Sequence, residues 1–301
     1  MASTKPRLEQ LQSGPYLPFH LDINSSTEIW QRGAGPFTTT ARFTADEWRM
    51  DFTGTSFSVT RNSTPLFGYY CLQGVYTKGA GTNATIRQGY EKYKYVEGAY
   101  VTFAAWVKTS TASAVRLQVS DYNGSSTETV TSAYHTGSGN WERLFITKLV
   151  RTGLVANAGL PHTFGLIVEV QVNLSCTFQL GATSFVMGNH NYRIDYFAED
   201  AQMELTRCQR FYQRNIGGYA DGSLWSGVTS NTGGATFRSQ IVFSCQMYAT
   251  PTVTLTNFAN LGFAATVGTV TATSVGFSEV RQRTSSAYGG YFCSDWTAEC
   301  T

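Results

Sequence analysis

The chain has 301 residues, enough for two hydrophobic cores, because single cores stop growing near this length. Charged residues make up only 14% and aromatic residues another 14% of the chain, and glycine is abundant, a balance that favours strands and turns over exposed helices. The net charge of +2, from 22 basic and 20 acidic residues without a dense basic cluster, excludes nucleic acid as an expected partner.

The N-terminal residues show no sign of a targeting segment. Met1 to Arg7 are not followed by the apolar stretch of an export signal, and no later run approaches the ~18 apolar residues of a membrane span. We therefore expect neither Sec export nor membrane insertion. Residues 1–20 carry Pro6, Pro15 and Pro18, which predict an extended N-terminal arm. In an assembly such an arm docks onto a neighbouring protein, and a frayed terminus is the alternative.

Residues 21–196 show the alternation of half-buried antiparallel strands. The alternating apolar residues are Val101, Phe103, Ala105 and Val107, then Val115, Leu117 and Val119, then Leu166, Val168, Val170 and Val172. Turn-forming segments at 121–124 and 136–140 separate the strands. The predicted fold class is therefore all-β, beginning with a jelly-roll β-sandwich.

A single amphipathic helix is predicted to link this sandwich to a second β domain. Within residues 197–216, Ala201, Leu205, Cys208 and Tyr212 recur at helical spacing and form one apolar stripe, so Cys208 is predicted to face a core. The glycines at 217–218 are predicted to end the helix. Renewed alternation in residues 217–301 predicts a smaller C-terminal β-sandwich domain.

The exposed aromatic residues are candidates for ligand contact. Alternation places Trp106 on the face opposite Phe103 and Val107, and Tyr90, Tyr93 and Tyr95 crowd the preceding segment. Aromatic rings exposed on one face of a sandwich suit contact with a saccharide or a protein. The alternative is that a second sheet or a neighbouring subunit covers them. Trp30 and Trp48, at the start of the sandwich, are interpreted as packing residues.

The reactive residue types form no recognisable catalytic or metal-binding pattern. The six cysteines lie far apart without a C-x-x-C pair, which predicts reduced, mostly buried thiols. The four histidines lack metal-ligand spacing and are interpreted as solvated loop residues. Hydrolase, nucleotide-binding and metalloprotease motifs are absent from the sequence. We therefore expect a non-enzymatic protein without a cofactor.

Three groups of residues carry a family resemblance. They are E-I-W-Q-R-G at 28–33 followed by T-A-D-E-W at 44–48, the strand 101–108 with Trp141-Glu142-Arg143, and E-L-T-R-C-Q-R-F-Y at 204–212. Downstream, F-S-C-Q-M-Y-A-T-P-T-V at 243–253 completes the order. Together these motifs resemble minor virion proteins of tailed bacteriophages, known as tail-fibre, head-fibre or appendage proteins.

The resemblance implies a carbohydrate-binding-module-like jelly roll displayed on the exterior of the virion, after synthesis in the host cytoplasm. It implies a surface-displayed fibre or appendage subunit. The implied partners are further copies in a homotrimer, other virion proteins reached through residues 1–20, and host-surface polysaccharide. The helix then provides candidate interface residues, which are Glu204, Arg207, Arg210, Phe211 and Tyr212.

The acidic residues of the family's calcium site are incomplete in this sequence. Such modules often hold a calcium ion through acidic residues, but the segment 183–188 lacks the family's glutamate, so Glu28 alone defines no metal site.

A head fibre or capsid decoration protein with a purely architectural role is the alternative function. A polysaccharide depolymerase is a second alternative, for which a longer chain with solenoid repeats or an acidic cleft is expected.

Overall fold

The structure is a computed structural model. It describes residues 21–54, 56–66, 69–155, 164–190, 201–215, 236–261, 269–282 and 291–300. The chain divides into two compact units, Met1–Glu199 and Asp200–Thr301. The predicted N-terminal arm, residues 1–20, lies outside the described residues. None of the helices in the described ranges is long and apolar enough to cross a membrane.

The first unit is built from β-strands. Their bounds are β1 (Arg42–Phe43), β2 (Arg49–Phe52), β3 (Ser56–Leu66), β4 (Tyr69–Thr77), β5 (Ala84–Gly89), β6 (Tyr100–Thr109), β7 (Val115–Tyr122), β8 (Thr127–Thr131), β9 (Trp141–Leu149), β10 (Phe164–Val170) and β11 (Cys176–Met187). A 3-10 turn at Tyr93–Tyr95 precedes β6.

The strands form two antiparallel sheets that enclose one hydrophobic core. The six-stranded sheet has the order β1-β2-β5-β10-β7-β8, and the five-stranded sheet has the order β3-β4-β11-β6-β9. The alternation in β7 is confirmed, because Val115, Leu117 and Val119 are fully buried while Arg116 and Gln118 are half-buried on the other side. The all-β jelly-roll sandwich is therefore confirmed.

The two tryptophans at the start of the sandwich pack as predicted. Trp30 and Trp48 are buried in the core, and Trp30 stacks on Phe37 with ring centroids 6.3 Å apart. Their indole N–H groups donate to the backbone carbonyls of Thr27 at 2.6 Å and Asn24 at 3.3 Å. A buried indole is thus satisfied without any exposed face for a ligand.

The interpretation of the histidines as solvated loop residues is wrong for His135. Its side chain is buried, and its Nδ1 accepts a hydrogen bond from the Gly137 N–H at 2.8 Å. Its Nε2 lies 3.1 Å from the carbonyl oxygen of Val107 and 3.2 Å from that of Asn140. The ring anchors the loop that follows β8, because it satisfies backbone groups that burial removes from water.

The second unit contains α1 (Ala201–Gln209), β12 (Tyr212–Asn215), β13 (Thr236–Val242), β14 (Thr252–Leu261), β15 (Thr269–Thr273), β16 (Gly276–Gln282) and β17 (Tyr291–Glu299). These strands form two three-stranded sheets, with the orders β12-β17-β14 and β13-β16-β15. A core of aromatic and aliphatic residues includes Phe243, Met247, Leu255, Phe277 and Trp296. The smaller C-terminal β domain is therefore confirmed.

The predicted C-terminal end of the helix is wrong. The helix ends at Gln209, and Tyr212 begins a strand that pairs with β17, Tyr212 opposite Glu299 and Asn215 opposite Trp296. Pairing with a distant strand overrides the local helical pattern here. Cys208 is buried, as predicted. The described cysteines Cys71, Cys176, Cys208, Cys245 and Cys300 are free thiols, also as predicted.

Candidate functional site

Trp106 lies on the outer face of the five-stranded sheet, away from the core. Phe103 and Val107 on the same strand are fully buried between the sheets, whereas Trp106 is half-buried on the opposite side. The sequence prediction for the orientation of Trp106 is therefore confirmed, because side chains alternate between the two faces of a strand.

Strand register brings polar side chains from the whole sheet into line with β6. A cross-strand row on the outer face runs Thr60, Gln73, Gln179, Lys108 and Trp141, one residue from each of β3, β4, β11, β6 and β9. With neighbouring strands about 4.8 Å apart, the row is about 19 Å long. These residues are half-buried, so the row forms a polar track across the sheet.

Trp106 and three neighbours form a compact group at the β6–β9 end of the row. Trp106 lies directly opposite Arg143, and Lys108 lies directly opposite Trp141. The two indoles are therefore diagonal to each other, as are the two cations, at about 7–8 Å. We call Trp106, Lys108, Trp141 and Arg143 the Trp–cation patch.

A β-bulge lies beside this patch. The pairing of β11 with β6 shifts between Leu180 and Thr183, which leaves Gly181 and Ala182 opposite the single residue Trp106. The two residues carry almost no side chain, so the indole of Trp106 has no bulky neighbour on that strand.

One hydrogen-bond acceptor of the row has no donor among the described residues. Asn62 Nδ2 donates to Gln73 Oε1, which orients that amide. Gln179 Oε1 is buried and has no hydrogen-bond partner, and the same is true of Ser184 Oγ on the same strand. A buried acceptor without a partner is costly, because it has lost water without gaining a donor. A ligand hydroxyl that reached the Gln179 amide would remove this cost.

Sequence reasoning identified one residue of this site and missed the others. Gln73, Gln179, Lys108, Trp141 and Arg143 lie on strands far apart in the chain, so no local motif contains them all. The available signal was a polar or aromatic residue at an outward position of each strand. That signal is weak, because any solvated strand face carries such residues.

The three tyrosines predicted to contact a ligand differ in their burial. Tyr90 packs edge-on against Phe164 and Phe185, with ring centroids 6.4 Å and 5.4 Å apart, and both phenylalanines are buried between the sheets. Tyr93 is half-buried against the same core. Tyr95 is 67% exposed on the 3-10 turn. Because Tyr90 and Tyr93 pack against the hydrophobic core, they are poor candidates for contact with a ligand.

The predicted interface residues of the helix divide into two groups. Glu204 and Tyr212 are buried within the second unit, and Glu204 accepts a hydrogen bond from Arg207 Nη1 at 3.2 Å. Phe211 packs against Tyr248 with centroids 5.3 Å apart, and the Arg210 guanidinium lies over the Phe211 ring at 5.8 Å. Burial assigns Glu204 and Tyr212 to internal packing. An interface role for Arg207, Arg210 and Phe211 stays a prediction.

Acidic side chains do not gather into a metal site in the described ranges. No three His, Cys, Asp or Glu side chains among those residues are placed to hold one ion. Burial raises the pKa of Glu28, and a backbone hydrogen bond from Tyr70 partly opposes that effect.

No protein-family model matches the chain, and no curated protein matches it. Among solved structures, the C-terminal family 22 carbohydrate-binding module of Clostridium thermocellum Xyn10B is 12% identical, with a TM-score of 0.38, over 56% of this chain and 100% of that chain. The CBM22-1 xylan-binding domain of Paenibacillus barcinonensis Xyn10C is 13% identical, with a TM-score of 0.38, over 58% and 97% of the two chains.

The enzymatically active domain of tailspike protein 4 from bacteriophage CBA120 is 12% identical, with a TM-score of 0.37, over 54% of this chain and 22% of that chain. The match to the xylanase 10B modules of Clostridium thermocellum covers 28% of that chain, so this chain spans less than a third of both longer proteins. TM-scores below 0.4 transfer neither a ligand nor an activity to this chain.

Proposed function

We propose that the first unit binds glycans through the outer face of its five-stranded sheet. The observation that carries this proposal is the cross-strand row of Thr60, Gln73, Gln179, Lys108 and Trp141 beside Trp106. It combines amide and hydroxyl groups with two half-buried indoles on one face of the sheet.

The chemistry of a sugar ring fits this combination. A pyranose has an apolar face of C–H groups, which packs on an indole, and a rim of hydroxyls that donate and accept hydrogen bonds. Gln73 and Gln179 each offer both an amide donor and a carbonyl acceptor, and the terminal amide torsion is soft enough to follow the ligand. An extended saccharide is the ligand that can use a row about 19 Å long.

We further propose that the protein is a surface-displayed fibre or appendage subunit of a tailed-phage virion, located on the particle exterior. The order of the motifs at 28–33, 44–48, 204–212 and 243–253 supports this part of the proposal. Several copies, as in the expected homotrimer, make weak sites useful, since avidity gains ~10²–10⁴ without a new contact. We propose binding without catalysis.

The test of glycan binding uses the full chain. The purified protein is applied to an array of bacterial surface polysaccharides, and the affinity for each hit is measured by calorimetry. Trp106→Ala removes the stacking surface and is expected to weaken binding about tenfold. Gln179→Ala is expected to weaken it about fivefold, which is the effect of one hydrogen bond.

Two matched variants on the other sheet serve as controls. Tyr122→Ala and Gln118→Ala remove an aromatic ring and an amide from the outer face of the six-stranded sheet, where both residues are half-buried. Both are expected to bind like the wild type. Equal affinity of the Trp106→Ala, Gln179→Ala and control variants would place binding elsewhere, and absence of any hit would reject the proposal. Shortened polysaccharide after incubation would reject the non-enzymatic part.

A purely architectural role is the second candidate function, because apolar side chains of the same sheet are exposed. Tyr100, Phe145 and Leu149 also belong to strands of the five-stranded sheet, and they are 51%, 41% and 51% exposed. Exposed apolar residues on one sheet suit contact with another protein chain. Sedimentation of Phe145→Ser, compared with wild type, tests it, since loss of an oligomer is expected only if this surface joins copies.

A further inference from the structure

The outer faces of the two sheets differ in how their charges are balanced. On the described outer face of the six-stranded sheet, charged side chains pair with one another. The Asp51 carboxylate lies 3.1 Å from Arg49 Nη2 and 2.7 Å from Arg87 Nε, and Arg116 donates to Glu169. That face therefore carries its own counter-charges.

The outward positions of the described strands in the five-stranded sheet carry two cations and no carboxylate. Strand alternation and register place Lys108 and Arg143 on it, and no Asp or Glu occupies an outward position of the described strands there. Lys108 is half-buried and makes no hydrogen bond or ion pair with the described residues. Its charge acts on the sheet nonetheless, since it lowers the pKa of the buried Cys71 thiol, which desolvation raises more strongly to about 11.

A partly buried ammonium without a counter-charge is unfavourable, because it has lost part of its hydration and gained no partner. Arg143 is held differently, with its guanidinium 5.6 Å from the ring centroid of Phe145. Both cations lie beside an indole of the Trp–cation patch, Lys108 opposite Trp141 and Arg143 opposite Trp106. A sugar stacked on either indole therefore has a cation at its rim.

We infer that the glycan bound by this face is anionic, with a carboxylate or an ester-linked phosphate or sulfate placed at Lys108 and Arg143. This inference rests on the proposed glycan-binding function and names the chemical class of its ligand. Charge-assisted hydrogen bonds to Lys108 and Arg143 are about twice as strong as neutral ones, so the anionic group contributes specificity as well as affinity. Single-stranded nucleic acid is disfavoured, because two cations neutralise too few phosphates.

The experiment compares each glycan with its own neutral form. The array carries polygalacturonate, hyaluronan, and acidic and neutral bacterial surface polysaccharides, and a poly-dT oligonucleotide is included. Each acidic hit is measured again after carboxyl reduction, and after dephosphorylation or desulfation where it carries such esters. We expect acidic hits whose affinity falls at least about tenfold when the anionic group is removed, because its charge-assisted hydrogen bonds to Lys108 and Arg143 are then lost. The treatment that causes the loss identifies the anion.

Variants assign the effect to the two cations. Lys108→Gln and Arg143→Gln are expected to weaken binding of the acidic form about tenfold and to leave the neutral form unchanged. Lys78→Gln, an exposed lysine outside the strands, and Arg116→Gln, on the other sheet, make the same charge changes as controls. Unfolding midpoints are measured for all four, so that loss of fold is recognised.

The outcomes separate this inference from the function on which it rests. Equal binding of acidic and neutral forms, or hits confined to neutral glycans, overturns the anionic ligand while glycan binding stands. Absence of every glycan hit overturns both. Tight binding of the oligonucleotide with loss on Lys108→Gln also overturns the inference, because the cations would then serve phosphates of a nucleic acid.

Discussion

The ammonium of Lys148 on β9 lies 3.2 Å from the carboxylate of Asp121 on β7, so this ion pair connects the two sheets of the first unit. Both side chains are at most 1% exposed. Lys148 also contacts Glu128 at 2.6 Å, and Arg151 Nε lies 2.6 Å from the same Asp121 carboxylate. Asp121 was assigned to a turn from the sequence, whereas it lies within β7.

Removal of this carboxylate is expected to be strongly destabilising. Asp121→Ala leaves the buried Lys148 ammonium with only part of its counter-charge, which lowers the free energy of unfolding by about 3 kcal/mol. Arg116→Met, which breaks the half-exposed pair with Glu169, is the control and is expected to cost less than about 1 kcal/mol. Urea unfolding followed by tryptophan fluorescence measures both. Similar values for the two variants would contradict the structural role of the Lys148–Asp121 pair.

The buried indole of Trp48 is expected to be a major element of the first core. Trp48→Ala removes one of the largest fully buried side chains and should lower the free energy of unfolding by about 3–5 kcal/mol. Tyr95→Ala removes an aromatic ring that is 67% exposed and should change stability by less than about 0.5 kcal/mol. Thermal unfolding of the two variants beside wild type provides the comparison. A mild effect of Trp48→Ala would mean that the ring is not part of the core.

The Glu142 carboxylate makes stability depend on pH in the acidic range. Partial burial acts to raise its pKa, but hydrogen bonds from Ser138 and Thr136 prevail and lower it from 4.5 to about 2. A depressed pKa stabilises the fold above the unfolded value of 4.5, and this contribution is lost as pH falls towards 2. Glu142→Gln should therefore be less stable than wild type at neutral pH. The difference should shrink between pH 4.5 and about 2, which urea unfolding across that interval measures. A difference independent of pH would show that the charge is not responsible.

Gln213 is expected to be the polar centre of the second unit. Its buried amide donates to the carbonyls of Gln209 at 3.0 Å and Cys245 at 3.1 Å, and it accepts from the Ser244 N–H at 3.0 Å. Gln213→Ala leaves these backbone groups without partners and should cost about 1–3 kcal/mol. Gln240→Ala, at an exposed position of β13, should be near neutral. Hydrogen exchange of the backbone amides in β12, β14 and β17 follows the unfolding of this unit, and equal stability of both variants would contradict the role of Gln213.

The local features of the chain were predictable, because they depend on neighbouring residues alone. Alternation in 101–107 and 115–119 predicted which side chains enter the core, and it placed Trp106 on the outer face. The same reasoning failed at Tyr212, where helical spacing continued but pairing with β17 determined the conformation. Local periodicity and long-range strand pairing are separate influences, and pairing prevails where both act on one segment.

The sequence by itself determined an all-β chain with two cores, the alternation of its strands, and the outward orientation of Trp106. Only the tertiary structure decided which strands lie side by side, and therefore that Gln73, Gln179, Lys108 and Trp141 form one row. The physical reason is that side-chain alternation follows from backbone geometry at each residue. Register between strands distant in the chain depends instead on how the whole core packs.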